Sequence, residues 1–284
     1  MRNYISMFKL RIVALLVFVA LVATITASTG ALQPMKILIL ASAGALAAAG
    51  ASILNHYFDR DIDALGDRTK KRPLPAGKVA PHKACFLGIV LVGIALVISS
   101  KLNYLTSAYI LMGALVYVLV YTIWLKRRSA ANIVIGGAAG SCAVLAGYAA
   151  MEGNTSLVAI LMALLVFLWT PPHFWAFAIV HKSGYQKASI PMLPVIHGDA
   201  RATRLILMHT VLLVQASLLL YALGYFGILY LIVAVVFGFA FIATNAKLML
   251  QPTKRRAWGS YKLSGIYLVA LFTGMLLDIL FKLA

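Results

Sequence analysis

Three oxygen-bearing side chains recur at every fourth position in one stretch of the sequence, at Asn55, Asp59 and Asp63. If this stretch is helical, the three side chains occupy an arc of about 80° on one face and are able to contact one ion. Two carboxylates and one carboxamide are hard oxygen ligands, which suit Mg²⁺, an ion that keeps several waters and takes further ligands from phosphates. The spacing therefore predicts a magnesium site formed by Asn55, Asp59 and Asp63.

A run of cations follows these acids directly, Arg68-Thr69-Lys70-Lys71-Arg72. Guanidinium groups bind phosphate oxygens in a planar, bidentate geometry, so Arg68 and Arg72 are candidates for holding a diphosphate that also contacts the metal. The alternative is that the acids are interfacial residues paired with Arg60 and the basic run. That alternative explains the charge balance, but not the four-residue spacing or the position of Asn55, one turn deeper in an apolar segment. We therefore favour a magnesium-diphosphate site.

The elements that carry these residues are long and apolar. Hydrophobic residues make up 63% of the 284 residues and charged residues 11%, which leaves too little polar surface to cover a soluble globule. Stretches near the length needed to cross a bilayer lie at 10–30, 35–57, 83–100, 103–125, 131–151, 156–180, 204–224, 226–247 and 263–283. The sequence thus predicts an all-α, polytopic membrane protein. We expect a bundle of about nine transmembrane helices forming a single domain, 1–284, with a central cavity that opens to the cytoplasmic side and laterally to lipid.

The net charge of +18 is explained by membrane topology, because the basic residues lie in loops between apolar runs and not on a water-facing stripe. With the N-terminus inside, all but Lys36, Lys101 and Lys282 of the 25 Lys and Arg residues are cytoplasmic. We expect no nucleic-acid partner and a multi-pass protein of a prokaryotic plasma membrane, with the N-terminus and the active-site loops cytoplasmic. Basic residues before the first apolar run also begin cleavable signal peptides, but this run is long enough to span and is expected to be retained.

The run from Asn55 to Asp63 resembles the first signature of the UbiA superfamily of intramembrane prenyltransferases. Within that superfamily, three longer stretches are similar to the protoheme IX farnesyltransferases, also called haem O synthases. The first stretch is the acidic motif extended through Arg68-Thr69 and Arg72-Pro73-Leu74. The second is Tyr121-Thr122-Ile123-Trp124-Leu125-Lys126-Arg127-Arg128, followed by Asn132-Ile133-Val134-Ile135-Gly136-Gly137. The third is Trp169-Thr170-Pro171-Pro172-His173-Phe174-Trp175-Ala176, followed by Tyr185 and Ile190-Pro191-Met192-Leu193-Pro194. The resemblance covers most of residues 5–200, and the last third of the chain matches mainly in hydropathy.

The resemblance implies transfer of a farnesyl group from farnesyl diphosphate to a vinyl group of haem B, with Mg²⁺ as cofactor and haem as substrate. It implies catalytic roles for Asp59, Asp63, Arg68, Arg72 and His173, and substrate contacts for Lys9, Arg11, Lys126, Arg128, Trp169, Phe174, Trp175 and Tyr185. The basic residues of this set are expected to contact the diphosphate, and the faces of its tryptophans and Phe174 to stabilise an allylic cation. Membrane lipid is expected to surround the enzyme, and a haem A synthase or a terminal oxidase to contact it.

Structural alternatives stand beside several of these roles. His173 is expected to be an axial haem ligand or proton carrier, or else a structural histidine beside a proline kink, because Pro171 and Pro172 are expected to disturb the helix. Trp169 and His173, four residues apart, are expected to share a face. The basic triplet that begins at Lys126 would also hold its loop inside the cell without contacting substrate.

The acceptor and the second metal are left open by the sequence. The acidic motif indicates only that a diphosphate binds, and it does not identify the acceptor. A quinone precursor or a glycerolipid is therefore an alternative acceptor, although the stretch from Trp169 to Ala176 favours haem. Where the family has an acidic residue before Tyr185, this chain has Ser183-Gly184, which leaves a second metal site open. A transporter is disfavoured, because its ionisable groups would lie near the midplane of the membrane and not at one interface.

Overall fold

The structure is a computed structural model that describes residues 2–28 and 33–283, with the side chains of residues 2, 282 and 283 left out. In these ranges the chain is helical and contains no β-strand. Nine helices are long and apolar enough to cross a membrane: α1 (Leu10–Ala27), α2 (Pro34–Phe58), α3 (Pro81–Ser99), α4 (Tyr104–Leu125), α5 (Asn132–Glu152), α6 (Leu157–Val180), α7 (Leu193–Ala222), α8 (Ile228–Leu250) and α9 (Lys254–Phe281). The predicted all-α bundle of about nine spans is confirmed for the described part of the chain. The predicted end of the first span, at residue 30, lies outside it.

Two helices begin well before the residues predicted from hydropathy. α7 starts at Leu193 and α9 at Lys254, whereas the apolar stretches begin near 204 and 263. Hydropathy marks where lipid-compatible sequence starts, but a helix continues into the polar layer because Lys and Arg are good helix formers. α7 is interrupted at Gly198, whose φ of 77° and ψ of 166° are accessible to glycine and strained for other residues.

The two prolines of α6 do not break the helix. Helical structure runs from Leu157 to Val180 through Pro171 and Pro172, where an interruption was expected. Proline removes a backbone donor, but in a bundle the freed carbonyl groups are satisfied by neighbouring helices and side chains. The consequence is that residues four apart across the prolines remain stacked along one face of α6.

The last part of α4 winds more widely than an α-helix. Residues Val116–Leu125 form a π-helix, a conformation that is rare and frequent at functional sites. The backbone N–H of Lys126 donates to the carbonyl of Tyr121, five residues back, at 2.8 Å. The Thr122 hydroxyl likewise donates to the carbonyl of Tyr117 at 2.8 Å. This winding determines the direction in which Lys126 leaves the helix.

A close contact between α1 and α5 holds one wall of the bundle. Gly147 approaches α1 so closely that a Cβ atom there would clash with the carbonyl oxygen of Ala20. The Thr24 hydroxyl donates across the same interface to the carbonyl of Gly147 at 2.8 Å. Such small-residue contacts are typical of membrane helices, where close backbone approach supplies much of the packing energy. α1 also packs on α2 and α9, so the helices close around a central space.

The N-terminal residues and the loops after α2, α4, α6 and α8 lie at one end of the bundle, which we call the basic end. Asp67, after α2, accepts a hydrogen bond from Lys187, after α6, at 2.6 Å. Arg127, after α4, donates to both carboxylate oxygens of Asp61 at 2.6 and 2.7 Å. The hydrogen bond from Arg127 lowers the pKa of Asp61 to about 2. These exposed ion pairs join the loops but are expected to add little stability.

Candidate active site

A cavity of about 1400 Å³ lies inside the bundle. Small-molecule pockets are typically about 300–1000 Å³, so this cavity has room for more than one substrate. Residues of α1, α2, α4, α5, α6 and α9 line it, together with the loops after α2 and α6. At the basic end it reaches the exposed Asp67 and Ser183, and at its side it reaches the exposed Leu10 and Ile12 of α1. Exposed residues at these two places agree with a cavity that has two openings, while their relation to the cytoplasm and to lipid stays a prediction.

The three predicted metal ligands lie along one helical path. The Asp59 N–H donates to the carbonyl of Asn55 at 2.9 Å, and the Asp63 N–H donates to the carbonyl of Asp59 at 2.8 Å. The path therefore continues from α2 into the short helix Arg60–Leu65 without losing register. Asn55 and Asp63 line the cavity, while Asp59 is fully buried between them. The Nδ2 of Asn55 donates to Oδ2 of Asp59 at 2.7 Å, as the common face requires.

Each predicted metal ligand accepts a hydrogen bond from one cation. Lys9 donates to Oδ1 of Asn55 at 2.6 Å. Lys126 forms an ion pair with Oδ2 of Asp59. Arg72 donates to Oδ2 of Asp63 at 2.6 Å.

These three cations come from the N-terminus, from the end of α4 and from the loop after α2. Because they converge on the acidic residues, they bring positive charge to the basic end of the cavity. An anion that entered there would meet all three.

Lys9 is held in an unusual backbone conformation. It precedes α1 with φ 51° and ψ 54°, the left-handed region, which costs a residue with a Cβ about 1–2 kcal/mol. Its ammonium group donates to Asn55 and, at 2.9 Å, to the hydroxyl of Tyr117 on α4. Burial and, next, the charge of Arg72 lower the pKa of Lys9 to about 8. Backbone strain of this kind is found where surrounding contacts fix a side chain for function.

The acidic residues fit a magnesium ion that is shared with a diphosphate. Oδ1 of Asp59 is buried and has no hydrogen-bond partner within the described residues. An unpaired buried carboxylate oxygen is costly, and a divalent cation would satisfy it. No cluster of three or more His, Cys, Asp or Glu residues is placed to hold a metal anywhere in residues 2–28 and 33–283. With two carboxylates and one carboxamide, the acidic residues would supply only part of a coordination shell, which for Mg²⁺ is commonly completed by phosphate oxygens and waters.

The remaining basic candidates separate into two groups. Arg68 and Arg11 line the cavity, and the guanidinium group of Arg68 lies 5.5 Å from the ring centre of Phe177. Arg128 is exposed and is not part of the cavity wall. The prediction that Arg128 contacts substrate is therefore not met by this geometry, because the loop after α4 turns that side chain away while Lys126 points inward.

Aromatic side chains of α6 and α9 form another part of the wall. The His173 ring stacks on Trp169, with centroids 4.3 Å apart, and faces Tyr261 at 4.4 Å. Phe174 lies edge-on to His173 at 5.2 Å and also lines the cavity. The predicted common face of Trp169 and His173 is therefore present. Tyr185 is a further lining residue, and burial raises the pKa of its hydroxyl, which keeps it a proton donor.

Trp175 does not contact the cavity, contrary to the prediction. Its side chain is only 2% exposed and meets the ring of His209 edge-on at 5.1 Å, in the packing between α6 and α7. Two residues along a helix rotate a side chain by about 200°, so Trp175 points away from the face that carries His173.

The structure also adds site residues that the sequence did not indicate. Tyr117 binds Lys9, and the Thr122 hydroxyl accepts a hydrogen bond from Nδ2 of Asn55 at 3.0 Å. Ser264 and Tyr261, both on α9, surround His173. The tyrosine pair at 117 and 121, four apart and just before a basic triplet, was a usable signal for Tyr117. Ser264 has no such signal, because its role depends on contacts with α6.

Known protein families and relatives show which family the chain belongs to. The sequence model described as the UbiA prenyltransferase family matches residues 16–270. The chain belongs to the UbiA prenyltransferase family. Its all-helical bundle, with acidic residues at one end of a cavity, is the framework of this intramembrane prenyltransferase.

Curated relatives and solved structures agree with this assignment. The chain is 40% identical to a protoheme IX farnesyltransferase of Symbiobacterium thermophilum, over 98% of this chain and 94% of that protein. It is 42% identical to the protoheme IX farnesyltransferase of Alkalilimnicola ehrlichii, over 98% and 92% of the two chains. A solved digeranylgeranylglyceryl phosphate synthase superposes with a TM-score of 0.82 at 22% identity, over 98% of each chain. A UbiA homologue from Archaeoglobus fulgidus bound to GPP and Mg²⁺ superposes with a TM-score of 0.69 at 17% identity, over 96% and 99%. Likeness at such low identity shows the shared fold.

Proposed function

We propose that this prenyltransferase transfers a farnesyl group from farnesyl diphosphate to a vinyl group of haem B, giving haem O and diphosphate. The single observation that carries the proposal is the convergence of Lys9, Lys126 and Arg72 on the acidic row Asn55, Asp59 and Asp63. A cavity of about 1400 Å³ beside this cluster supports the use of two large substrates. The names of the curated relatives support farnesyl as donor group and haem as acceptor.

The acidic row and the cations would share the work of releasing the diphosphate. Asn55, Asp59 and Asp63 would hold Mg²⁺, which when bound neutralises charge on the leaving group. The basic residues that would contact the diphosphate oxygens are Lys9, Arg11, Arg68, Arg72 and Lys126. Charges fixed in advance around a departing anion are commonly the largest catalytic contribution, since they need no reorganisation during the reaction. The bonding pair of the farnesyl C–O bond leaves with the diphosphate.

The deeper part of the cavity would protect and direct the allylic cation. Its apolar walls exclude bulk water, and the faces of Trp169 and Phe174 would stabilise the cation by about 2 kcal/mol. The vinyl electron pair of haem then forms the new C–C bond. One vinyl carbon is left electron-deficient, so a water molecule must add there and lose a proton to give a stable product. His173 faces this space and would bind the haem iron or accept a proton.

The setting of the enzyme is proposed from charge and span length. We propose that the nine helices act as one prenyltransferase domain in the plasma membrane, with the N-terminus and the basic end cytoplasmic. The concentration of Lys and Arg at that end supports this orientation, because positive residues are retained on the cytoplasmic side. Farnesyl diphosphate would enter from the surrounding membrane lipid through the side opening near Leu10 and Ile12. Contact with a haem A synthase or a terminal oxidase stays a prediction.

An acceptor assay tests the proposal. The purified protein in lipid nanodiscs is incubated with labelled farnesyl diphosphate and haem B, and the masses of the porphyrin products are measured by mass spectrometry. We expect farnesylated haem with Mg²⁺, and none with EDTA or with Asp59→Ala combined with Asp63→Ala. Reaction of a quinone precursor or a glycerolipid, with haem left unchanged, would reverse the choice of acceptor. Flux across liposomes without any product would indicate a transporter instead.

A further inference from the structure

A cluster on the cavity wall joins α6 to α9 through one serine. The hydroxyl oxygen of Ser264 lies 2.6 Å from Nδ1 of His173, and the carbonyl of Ser264 accepts a hydrogen bond from Nε1 of Trp169 at 2.7 Å. The imidazole is enclosed by Trp169 on one side and Tyr261 on the other, at 4.3 and 4.4 Å. Ser264 is fully buried, and α9 thus fixes both the position and the tilt of the His173 ring.

The hydrogen bonds of Ser264 determine which ring nitrogen carries the proton. The hydroxyl donates to the carbonyl of Tyr261, three residues back, at 2.7 Å, as serines inside apolar helices commonly do. A hydroxyl has one hydrogen, so towards His173 the same oxygen acts as an acceptor. The proton of the hydrogen bond therefore sits on Nδ1 of His173.

Nε2 of His173 is consequently the nitrogen with a free lone pair. It makes no hydrogen bond within the described residues, and the ring lines the cavity. No carboxylate of the described chain lies within 4.0 Å to pair with an imidazolium, and a charged ring between aromatic side chains would be left uncompensated. A neutral imidazole with an open Nε2 is the form that ligates haem iron. The buried His56, by contrast, has both nitrogens without a partner and away from the cavity.

We propose that Ser264 is a positioning residue for the acceptor. By accepting a hydrogen bond from the Nδ1–H group, its hydroxyl would hold the ring so that Nε2 of His173 is directed at the iron of bound haem. The inference rests on the proposed use of haem as substrate, and it names the contact that would select an iron porphyrin. Groups that hold the second nitrogen of a metal-bound histidine typically change metal affinity by about 10–100-fold when they are removed.

Optical and EPR titrations with ferric haem test the inference. The wild-type protein in nanodiscs should give a histidine-ligated spectrum, which His173→Gly should lose and added imidazole should restore. Ser264→Ala should retain the ligand but weaken haem binding by about 10-fold, because the ring is no longer held. The matched control is Ser260→Ala, one turn earlier on α9, whose hydroxyl bonds to Asn245 at 2.5 Å instead of to His173. That control should leave the spectrum and the affinity unchanged.

Metal-free protoporphyrin IX separates this inference from the proposed function. Its affinity, measured by fluorescence, should be the same for the wild type, His173→Gly and Ser264→Ala, since it offers no iron. A wild-type protein that farnesylates haem, yet shows no histidine-ligated spectrum and no effect of either variant, would overturn the role of Ser264 and leave the function standing. Farnesyl diphosphate binding without any haem binding or haem product would overturn the function itself.

Discussion

Lys126 and Asp59 form a buried ion pair that uses only one of the two carboxylate oxygens. Oδ2 of Asp59 accepts from Lys126 and also from Asn55, whereas Oδ1 is buried without a partner in the described residues. The carboxylate is therefore held in place from one side and left available on the other. A cation bound beside Asp59 would satisfy Oδ1, which is the role proposed for Mg²⁺.

Removing Lys126 should affect both folding and catalysis. In Lys126→Ala the buried Asp59 loses its counter-charge, which typically destabilises a protein by about 3–5 kcal/mol. The diphosphate also loses one fixed charge, so kcat/KM should fall by about 100-fold or more when farnesylated haem is measured by mass spectrometry. Arg128→Ala, two residues further on, is the matched control and should stay within about twofold of the wild type. Equal losses in the two variants would show that the triplet acts only through topology.

The acidic row should depend on charge and not merely on hydrogen bonding. Asp59→Asn keeps the size of the side chain and two of its contacts but removes the negative charge, so kcat should fall by about 10²–10³-fold. Asp61→Asn is the natural comparison, because that carboxylate is exposed and pairs with Arg127 at the surface. Its loss should cost less than about 1 kcal/mol of stability and leave turnover near normal. Initial rates at saturating Mg²⁺ distinguish the two, and similar rates for both variants would contradict the assigned role of Asp59.

The contact between α1 and α5 should tolerate no side chain at Gly147. Gly147→Ala places a methyl group against the backbone of Ala20, and overpacking of this kind costs about 1–3 kcal/mol. Gly93→Ala on α3 meets nothing within 4 Å and should instead stabilise the helix by up to about 1 kcal/mol. Thermal unfolding in detergent micelles measures both shifts. An unchanged unfolding temperature for Gly147→Ala would mean that α1 and α5 move apart at no cost.

Phe174 and Trp175 are adjacent in sequence but should give opposite phenotypes. Phe174→Ala removes part of the cavity wall, so kcat/KM for haem farnesylation should fall while the unfolding temperature changes little. Trp175→Ala empties a buried site beside His209, which should cost about 3–5 kcal/mol of stability. Turnover per folded molecule of the Trp175 variant should remain close to the wild type. Loss of turnover in a still-folded Trp175→Ala protein would place that ring in the reaction after all.

The sequence predicted those parts of the site that depend on local spacing. The common face of Asn55, Asp59 and Asp63 was predictable from the sequence, because helical periodicity alone brings these side chains together. Lys126 was identified from the family resemblance, but its pairing with Asp59 was not, since it depends on how α4 packs on α2. Ser264 was missed for the same reason, because only the tertiary contact of α9 with α6 gives its hydroxyl a partner.

Two errors have a geometric origin. Trp175 was grouped with its motif neighbours, although the 100° step of an α-helix already directs it away from the face of His173. The prolines of α6 were expected to disturb the helix, because a single sequence shows the missing donor, but helical structure continues through both.

The π-helix at the end of α4 has more residues per turn than an α-helix, which changes the direction in which each side chain of that segment points. Each π-helical turn holds roughly one residue more than the 3.6 of an α-helix, so over ten residues the chain falls behind by about half a turn. A regular helix from Tyr104 onwards would therefore deliver Lys126 to the opposite side of α4, facing lipid. Deleting one residue between Val116 and Leu125, a change that keeps every charge and nearly all of the apolar length, would turn Lys126 by about a quarter of a turn from its position beside Asp59, whether the segment stays π-helical or becomes α-helical.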